Sequence, residues 1–335
     1  MYARTKAAAV RELWESPEAR ASYQDLWART GLTAGVVGTI HGQPDGEIAF
    51  RESLRTIANE IYAPILTSEG RIRLAVGAKD IEDAHRSGAH AMVIAWENST
   101  PLGHELGNID LFYNLGLRCV QLTYNLRNLA GDGSTERGGG GLSHFGAALV
   151  ERLNERRMIV DLSHASMPLA RDVLQASRIP PCISHGAARE IFDHDRGTTD
   201  DVIKAVGDRG GYVGVCVVSG FLQGRDQGTL DDFADHVEHV ARLAGIDAVG
   251  IGTDVGDIYT IPAETATFET HYPPGFPWHG FTAAHRTYVT KMDGYGSVED
   301  WPNLTGHLAR RGFNEDELRK ILGLNFLRYF GDVVG

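Results

Sequence analysis

Four residues whose side chains bind metals or move protons each follow a short apolar run. Glu97 follows AMVIAW, His164 closes MIVDLSH, His185 closes IPPCISH and Asp254 closes AVGIGTD. Neutral imidazole is the commonest protein ligand of zinc, and a carboxylate can complete such a site or accept a proton from an attacking water. A ligand at the end of a strand, repeated along one chain, is how a (β/α) barrel assembles a metal centre, because its chemistry sits where the loops after the strand C-termini converge. The pattern points to metal-dependent hydrolysis, with zinc as the expected ion.

Each residue also has a plainer reading. Glu97 suits a solvated loop or a helix cap, and Asp254 suits a turn, since GIGTDVGD is turn-rich. One histidine at a strand end is often a hydrogen-bonded core residue; two at successive strand ends favour ligation. Asp161, three residues before His164, is either the carboxylate that holds that imidazole's tautomer or a structural strand-end residue. Arg196, in HDRGTTDD, is suited to grip a substrate carboxylate bidentately or to pair with nearby aspartates at the surface. Tyr124 ends QLTYN, where its hydroxyl can donate to an oxyanion or pack at the barrel rim. His236 and His239 have metal-compatible i, i+3 spacing but lie on a helix expected outside the barrel, so packing is the expected role. His41 follows a strand yet lacks a partner at short spacing.

The elements that must position these residues alternate along the chain. Candidate strands are 33–40, 91–96, 117–122, 157–161, 180–184, 211–217 and 248–252. Helix-like segments fall at 51–63, 79–88, 145–156 (opening at Ser143), 166–177, 199–208 and 230–245. Short apolar strands alternating with amphipathic helices predict parallel βα units. The expected fold is α/β, a TIM-like (β/α)8 metallo-hydrolase barrel. The seven strands leave its first strand missing or degenerate, and the run 71–77 reads as peripheral. One domain over 1–335 is expected, with 1–30 an N-terminal helical segment and 302–330 two C-terminal helices, the second opening at Asn314. The Gly-rich stretch 127–142 predicts a flexible loop over the barrel mouth, and 256–282, rich in Pro and aromatics, a second, ordered loop.

Composition narrows the function classes. The 335 residues carry a net charge of −12, which argues against nucleic acid as a partner. At 42% apolar residues a substantial core forms. Cys119, Cys182 and Cys216 each sit in an apolar run and read as buried reduced thiols. No apolar stretch reaches membrane-spanning length and no signal peptide stands at the start, so no membrane partner and a cytoplasmic location are expected.

The segments QLTYNLRNLAGDG, GLSHFGAALVERLNERRMIVDLSH, ISHGAAREIFDHDRGTTDDVI, HVEHVARLAGIDAVGIGTD and LTGHLARRGFNEDELRKILGLNFLRYF resemble the membrane (renal-type) dipeptidases, peptidase family M19, over roughly residues 30–330. The resemblance implies a barrel with two zinc ions bridged by a carboxylate and a hydroxide. It places the bridging carboxylate at Glu97, the second metal's imidazoles at His164 and His185, and the substrate-carboxylate arginine at Arg196. The first metal's aspartate and proton acceptor falls on Asp254, and an oxyanion-side histidine is replaced by Tyr124. A homodimer is also implied. Two features depart from the family. Its His-x-Asp on the first strand has no counterpart in residues 1–40, and its Asp-Phe-Asp-Gly becomes Asp-Val-Gly-Asp at 254–257. Either a segment lies upstream of Met1 or the first metal site is lost, so one or two zinc ions are expected. The function expected is zinc-dependent, dipeptidase-like amide hydrolysis of dipeptides or related small carboxylate-bearing amides through a metal-bound hydroxide. The alternatives are a non-peptidase or metal-deficient barrel relative that handles a small carboxylate metabolite, and a scaffold with an unpaired barrel edge.

Overall fold

The computed structural model describes residues 16–39, 45–224, 227–254 and 292–335. His41, the loop expected at 256–282 and the end of the Asp-Val-Gly-Asp segment lie outside them.

The described strands form a curled parallel sheet. Its order is β1 (Ala34–Thr39), β3 (His90–Trp96), β4 (Leu117–Gln121), β5 (Ile159–Asp161), β6 (Cys182–Ala188), β8 (Tyr212–Val215) and β9 (Val249–Ile251). These are the seven strands expected from sequence. The short β2 (Ile72–Leu74) pairs only with the first half of β3, as a peripheral strand should, and β7 (Gly197–Thr198) adds to the end of β6. A closed barrel pairs every strand on both sides. Here β1 and β9 end the sheet, with no pairing between them among the described residues.

Alternation along each strand divides the apolar residues between two faces. Met92, Ile94 and Trp96 of β3 pack in the layer that includes Phe112 and Leu153 of the covering helices. Their neighbours Ala91, Val93 and Ala95 face the other way, where Cys119, Cys182 and Tyr212 join them. These inner residues are mostly small because the last helix, Asn325–Val333, fills the space with Tyr329, Phe330 and Val333. Polar bonds anchor that helix from below. Asn325 Nδ2 donates to the Ile246 and Val249 carbonyls at 2.7 and 2.8 Å, and Tyr329 Oη donates to Pro180 O at 2.9 Å. The N-terminal ends of the strands are thereby covered, leaving chemistry to the C-terminal ends.

Local signals set the covering helices. Ser143 caps His144–Glu155 by accepting from Gly146 N, and Ser166 caps Met167–Ala176 by accepting from Leu169 N. Asn314 opens Glu315–Arg319 with a reciprocal bond to Glu317. The Gly-rich segment is held more firmly than its composition suggests. Asp132, 2% exposed, accepts from Arg127 Nε at 2.5 Å, Arg127 Nη2 at 3.0 Å and Gly140 N at 2.5 Å. Backbone bridges Gly131–Leu142 and Gly133–Ala165 stitch the segment to itself and to the His164 loop. No described helix is long and apolar enough to cross a membrane.

Candidate metal and catalytic site

The strand C-termini bring His164, His185, Arg196, Tyr124 and Asp254 into one contact set. His164 and His185 are buried, and their Nε2 atoms lie 3.1 Å apart. Two imidazole nitrogens sharing a tetrahedral zinc at the usual bond length stand about 3.3 Å apart. The spacing therefore fits a common ion.

The protonation of His164 follows from its neighbours. Arg196 Nη2 can only donate, and it lies 3.1 Å from His164 Nε2. The proton is therefore on Nδ1, which donates to Asn125 Oδ1 at 2.9 Å. Asn125, and not Asp161, is the partner of this imidazole. Asp161 instead serves the backbone between the two histidines: its Oδ1 accepts from Ser163 N and Ser184 N, both at 3.0 Å. It is placed there because it shares the inner face of β5 with Ile159, two residues earlier.

Arg196 is 2% exposed, so the surface ion-pair reading fails. Its Nη1 donates to Ser163 O, its Nη2 meets His164, and its plane lies over Phe221 at 5.3 Å. No ion pair holds it among the described residues, and its Nε has no hydrogen-bond partner there. Such a guanidinium is poised for an anion.

Tyr124 stacks on His164, ring centroids 4.2 Å apart and planes 25° apart. Asp254 Oδ1 lies 3.9 Å from His185 Nε2. The Asp254 backbone adopts φ +56°, a left-handed conformation that non-glycine residues rarely hold and that concentrates at functional sites. Glu97 follows β3, and its carboxylate leans over β1. A Cβ built on Gly38 would meet Glu97 Oε1 at 2.2 Å, so the glycine makes room for it. The i, i+3 pair is structural. His236 accepts from Ala188 N and bonds Leu222 O, both at 2.9 Å, while His239 bonds Asp200 at 2.7 Å.

Burial, reinforced by Arg196, holds the His164 imidazole well below its ordinary range and pushes His185 down to about 3. Both imidazoles are neutral at pH 7. Burial raises the Asp254 carboxyl to about 6, with Arg196 opposing. In the metal-free protein, each imidazole contributes stability that is present above about pH 6.5 and lost as pH falls. Asp254 contributes in the opposite sense, gaining as pH falls from about 6 to about 4. One uncompensated histidine remains, so that stability should fall by about 1.4 kcal/mol per pH unit over that range from these three groups. Urea unfolding of metal-free wild type and His185→Gln checks this. The variant's pH slope should be shallower by about that amount, and equal slopes would refute the neutral buried imidazole.

Three supporting residues escaped the sequence reading: Asn125, Ser163 and Ser184. Their signal was present, since Asn125 follows Tyr124 and a serine precedes each histidine in DLSH and CISH.

With this geometry in place, resemblances to known proteins become specific. The family model for membrane dipeptidase, peptidase family M19, matches residues 28–269. A dipeptidase, verJ of Clonostachys rogersoniana, is 29% identical over 287 residues, covering 84% of this chain; the chain spans 66% of that relative's length. An amidohydrolase structure from Pseudomonas aeruginosa is 28% identical, with a TM-score of 0.81 over 93% of this chain and 92% of that one. A metallopeptidase from Rhodobacter sphaeroides, solved with a phosphinate mimic of the dipeptide L-Ala-D-Ala, shares the fold at 18% identity, with a TM-score of 0.79 over 97% and 96% of the two chains. The chain belongs to the membrane dipeptidase family, M19, a family of metallopeptidases.

Proposed function

We propose that this chain is a zinc-dependent dipeptidase that hydrolyses the amide bond of dipeptides or related small amides bearing a free carboxylate. The observation that carries the reading is the pair of neutral imidazoles, 3.1 Å apart at Nε2, beside a buried guanidinium with no ion-pair partner among the described residues. Glu97, His164 and His185 would hold zinc, a set of three protein ligands that with a water suffices for a catalytic site, and Asp254 would stand beside them as a further carboxylate ligand and proton acceptor. The chemistry zinc supplies when bound is polarisation of the scissile carbonyl and acidification of water.

The chain's own residues do the rest. Arg196 would turn its grip from His164 Nε2 to the substrate carboxylate, which sets the substrate's length. Asp254, with its carboxyl raised toward neutrality, would take the proton from the attacking water and return it to the leaving amine. Tyr124, stacked on His164, would direct its hydroxyl to the developing oxyanion. The two imidazoles lie within reach of one ion, and residues 1–40 contain no His-x-Asp.

The test is amino-acid release by zinc-reconstituted protein from a dipeptide panel that begins with L-Ala-D-Ala, run against the C-terminal amides. Free-carboxylate dipeptides should be cleaved at least about 100-fold faster, the scale of about 3 kcal/mol for a lost charged contact. Failure to retain zinc, with no cleavage of any substrate, would overturn the reading in favour of a metal-deficient relative.

A further inference from the structure

His185 is held by a chain of hydroxyl groups that ends on a carboxylate. Ser184 Oγ lies 3.0 Å from His185 Nδ1, Ser163 Oγ lies 3.0 Å from Ser184 Oγ, and Asp161 Oδ1 lies 2.6 Å from Ser163 Oγ. Two backbone amides, of Ser163 and Ser184, already donate to Asp161 Oδ1 at 3.0 Å. That oxygen is an acceptor, so the Ser163 hydroxyl proton points to it.

The remaining directions follow by elimination. Ser163 Oγ has spent its only proton and can now only accept, which it also does from His185 N at 3.1 Å. The contact with Ser184 Oγ therefore requires Ser184 to donate. With its own proton committed, Ser184 Oγ can only accept from the imidazole. The proton of His185 is on Nδ1 and its Nε2 presents a bare lone pair. The opposite arrangement would leave two hydroxyl oxygens 3.0 Å apart with no proton between them.

We propose that Asp161 fixes the tautomer and orientation of His185 through a one-way hydrogen-bond chain across Ser163 and Ser184, and is a positioning residue for that imidazole. Asn125 does the same for His164 by one direct bond. Together they leave two unprotonated Nε2 atoms 3.1 Å apart, with Arg196 Nη2 donating to that of His164. Asp161 suits the role because its other oxygen is also held, with Cys119 Sγ 3.9 Å from Oδ2. The chain exists whether or not zinc binds; only its purpose rests on the function proposed above.

Nitrogen-15 NMR of histidine-labelled, metal-free protein tests it, with the His185 signals assigned by loss in His185→Gln. Wild type should show Nδ1 protonated and Nε2 bare at neutral pH. Ser184→Ala should mix the tautomers and weaken zinc binding about 10- to 100-fold, the usual cost of losing an outer-shell partner. Ser184→Thr keeps the hydroxyl and should restore both. Asp161→Asn, checked for folding by circular dichroism, should act like Ser184→Ala. Nε2 protonated in wild type, or an unchanged tautomer in Ser184→Ala, would overturn the chain whatever zinc does. A correct tautomer in a protein that binds no zinc would support the chain and refute the metal reading instead.

Discussion

His164→Ala should remove zinc from the protein and abolish amide hydrolysis. The imidazole presents Nε2 to the site with its proton held on Nδ1 by Asn125, so no other group can take its place without breaking that bond. Loss of a ligand must cost more than the about 10- to 100-fold that loss of an outer-shell partner costs. Zinc per chain after desalting, measured by elemental analysis, should fall to background. The substitution also removes one hydrogen bond each from Asn125 Oδ1 and Arg196 Nη2, at about 1–3 kcal/mol for each buried polar group. His164→Gln, which keeps a polar side chain, separates ligand loss from unfolding. His239→Ala is the control: that imidazole bonds Asp200 and Arg242, away from the site, and zinc content should not change. Wild-type zinc retention in both His164 variants would remove this residue from the metal site.

The second large effect is expected at Arg196. Arg196→Met removes the charge and keeps most of the volume over Phe221. If the guanidinium holds the substrate carboxylate, kcat/KM for dipeptides should fall by two to three orders of magnitude, about 3–4 kcal/mol, within the range for truncating one partner of a buried charge pair. Slow cleavage of the C-terminal amides should change little, because those substrates have no carboxylate to hold. Arg196→Lys should not rescue, since an ammonium cannot reproduce the planar fork that also reaches Ser163 O. Zinc content should survive the change, which separates substrate binding from metal binding. Equal losses on acid and amide substrates would show that Arg196 acts by supporting His164 alone.

The two variants probe different origins of the same site. His164 and His185 were recognisable as candidate ligands because burying a strand end beside a histidine, twice in succession, is hard to explain by packing. Arg196 was ambiguous in sequence because aspartates surround it in HDRGTTDD, and only the fold removes it from them. The segment turns inward at β7, placing Arg196, 2% exposed, against Phe221 while Asp193 stays on the surface. A surface ion pair and a buried anion site share the same local sequence and differ in where the chain turns.

Asp161 shows the opposite limit. Its nearness to His164 in sequence suggested a direct partnership, yet parallel strands place residues by register rather than by proximity along the chain. Asp161 pairs in register with Cys182 of β6, which aims its carboxylate at the Ser184 amide just before His185. His164, past the strand end, meets Asn125 from the β4 loop instead.

The sequence by itself determined the alternation of strands and helices, the caps at Ser143 and Asn314, the peripheral standing of Ile72–Leu74 and the positions of Glu97, His164 and Asp254 just past strand ends, whereas His185, expected after a strand at 180–184, lies inside β6. All of these follow from periodicity, turn chemistry and local propensity, which act over a few residues. The tertiary structure alone decided the partners: Asn125 for His164, the two serines for His185, the stacking of Tyr124 and the burial of Arg196. Hydrogen bonds form between groups that meet in space, and the bonded pair Asn125 and His164 lie 39 residues apart in the chain.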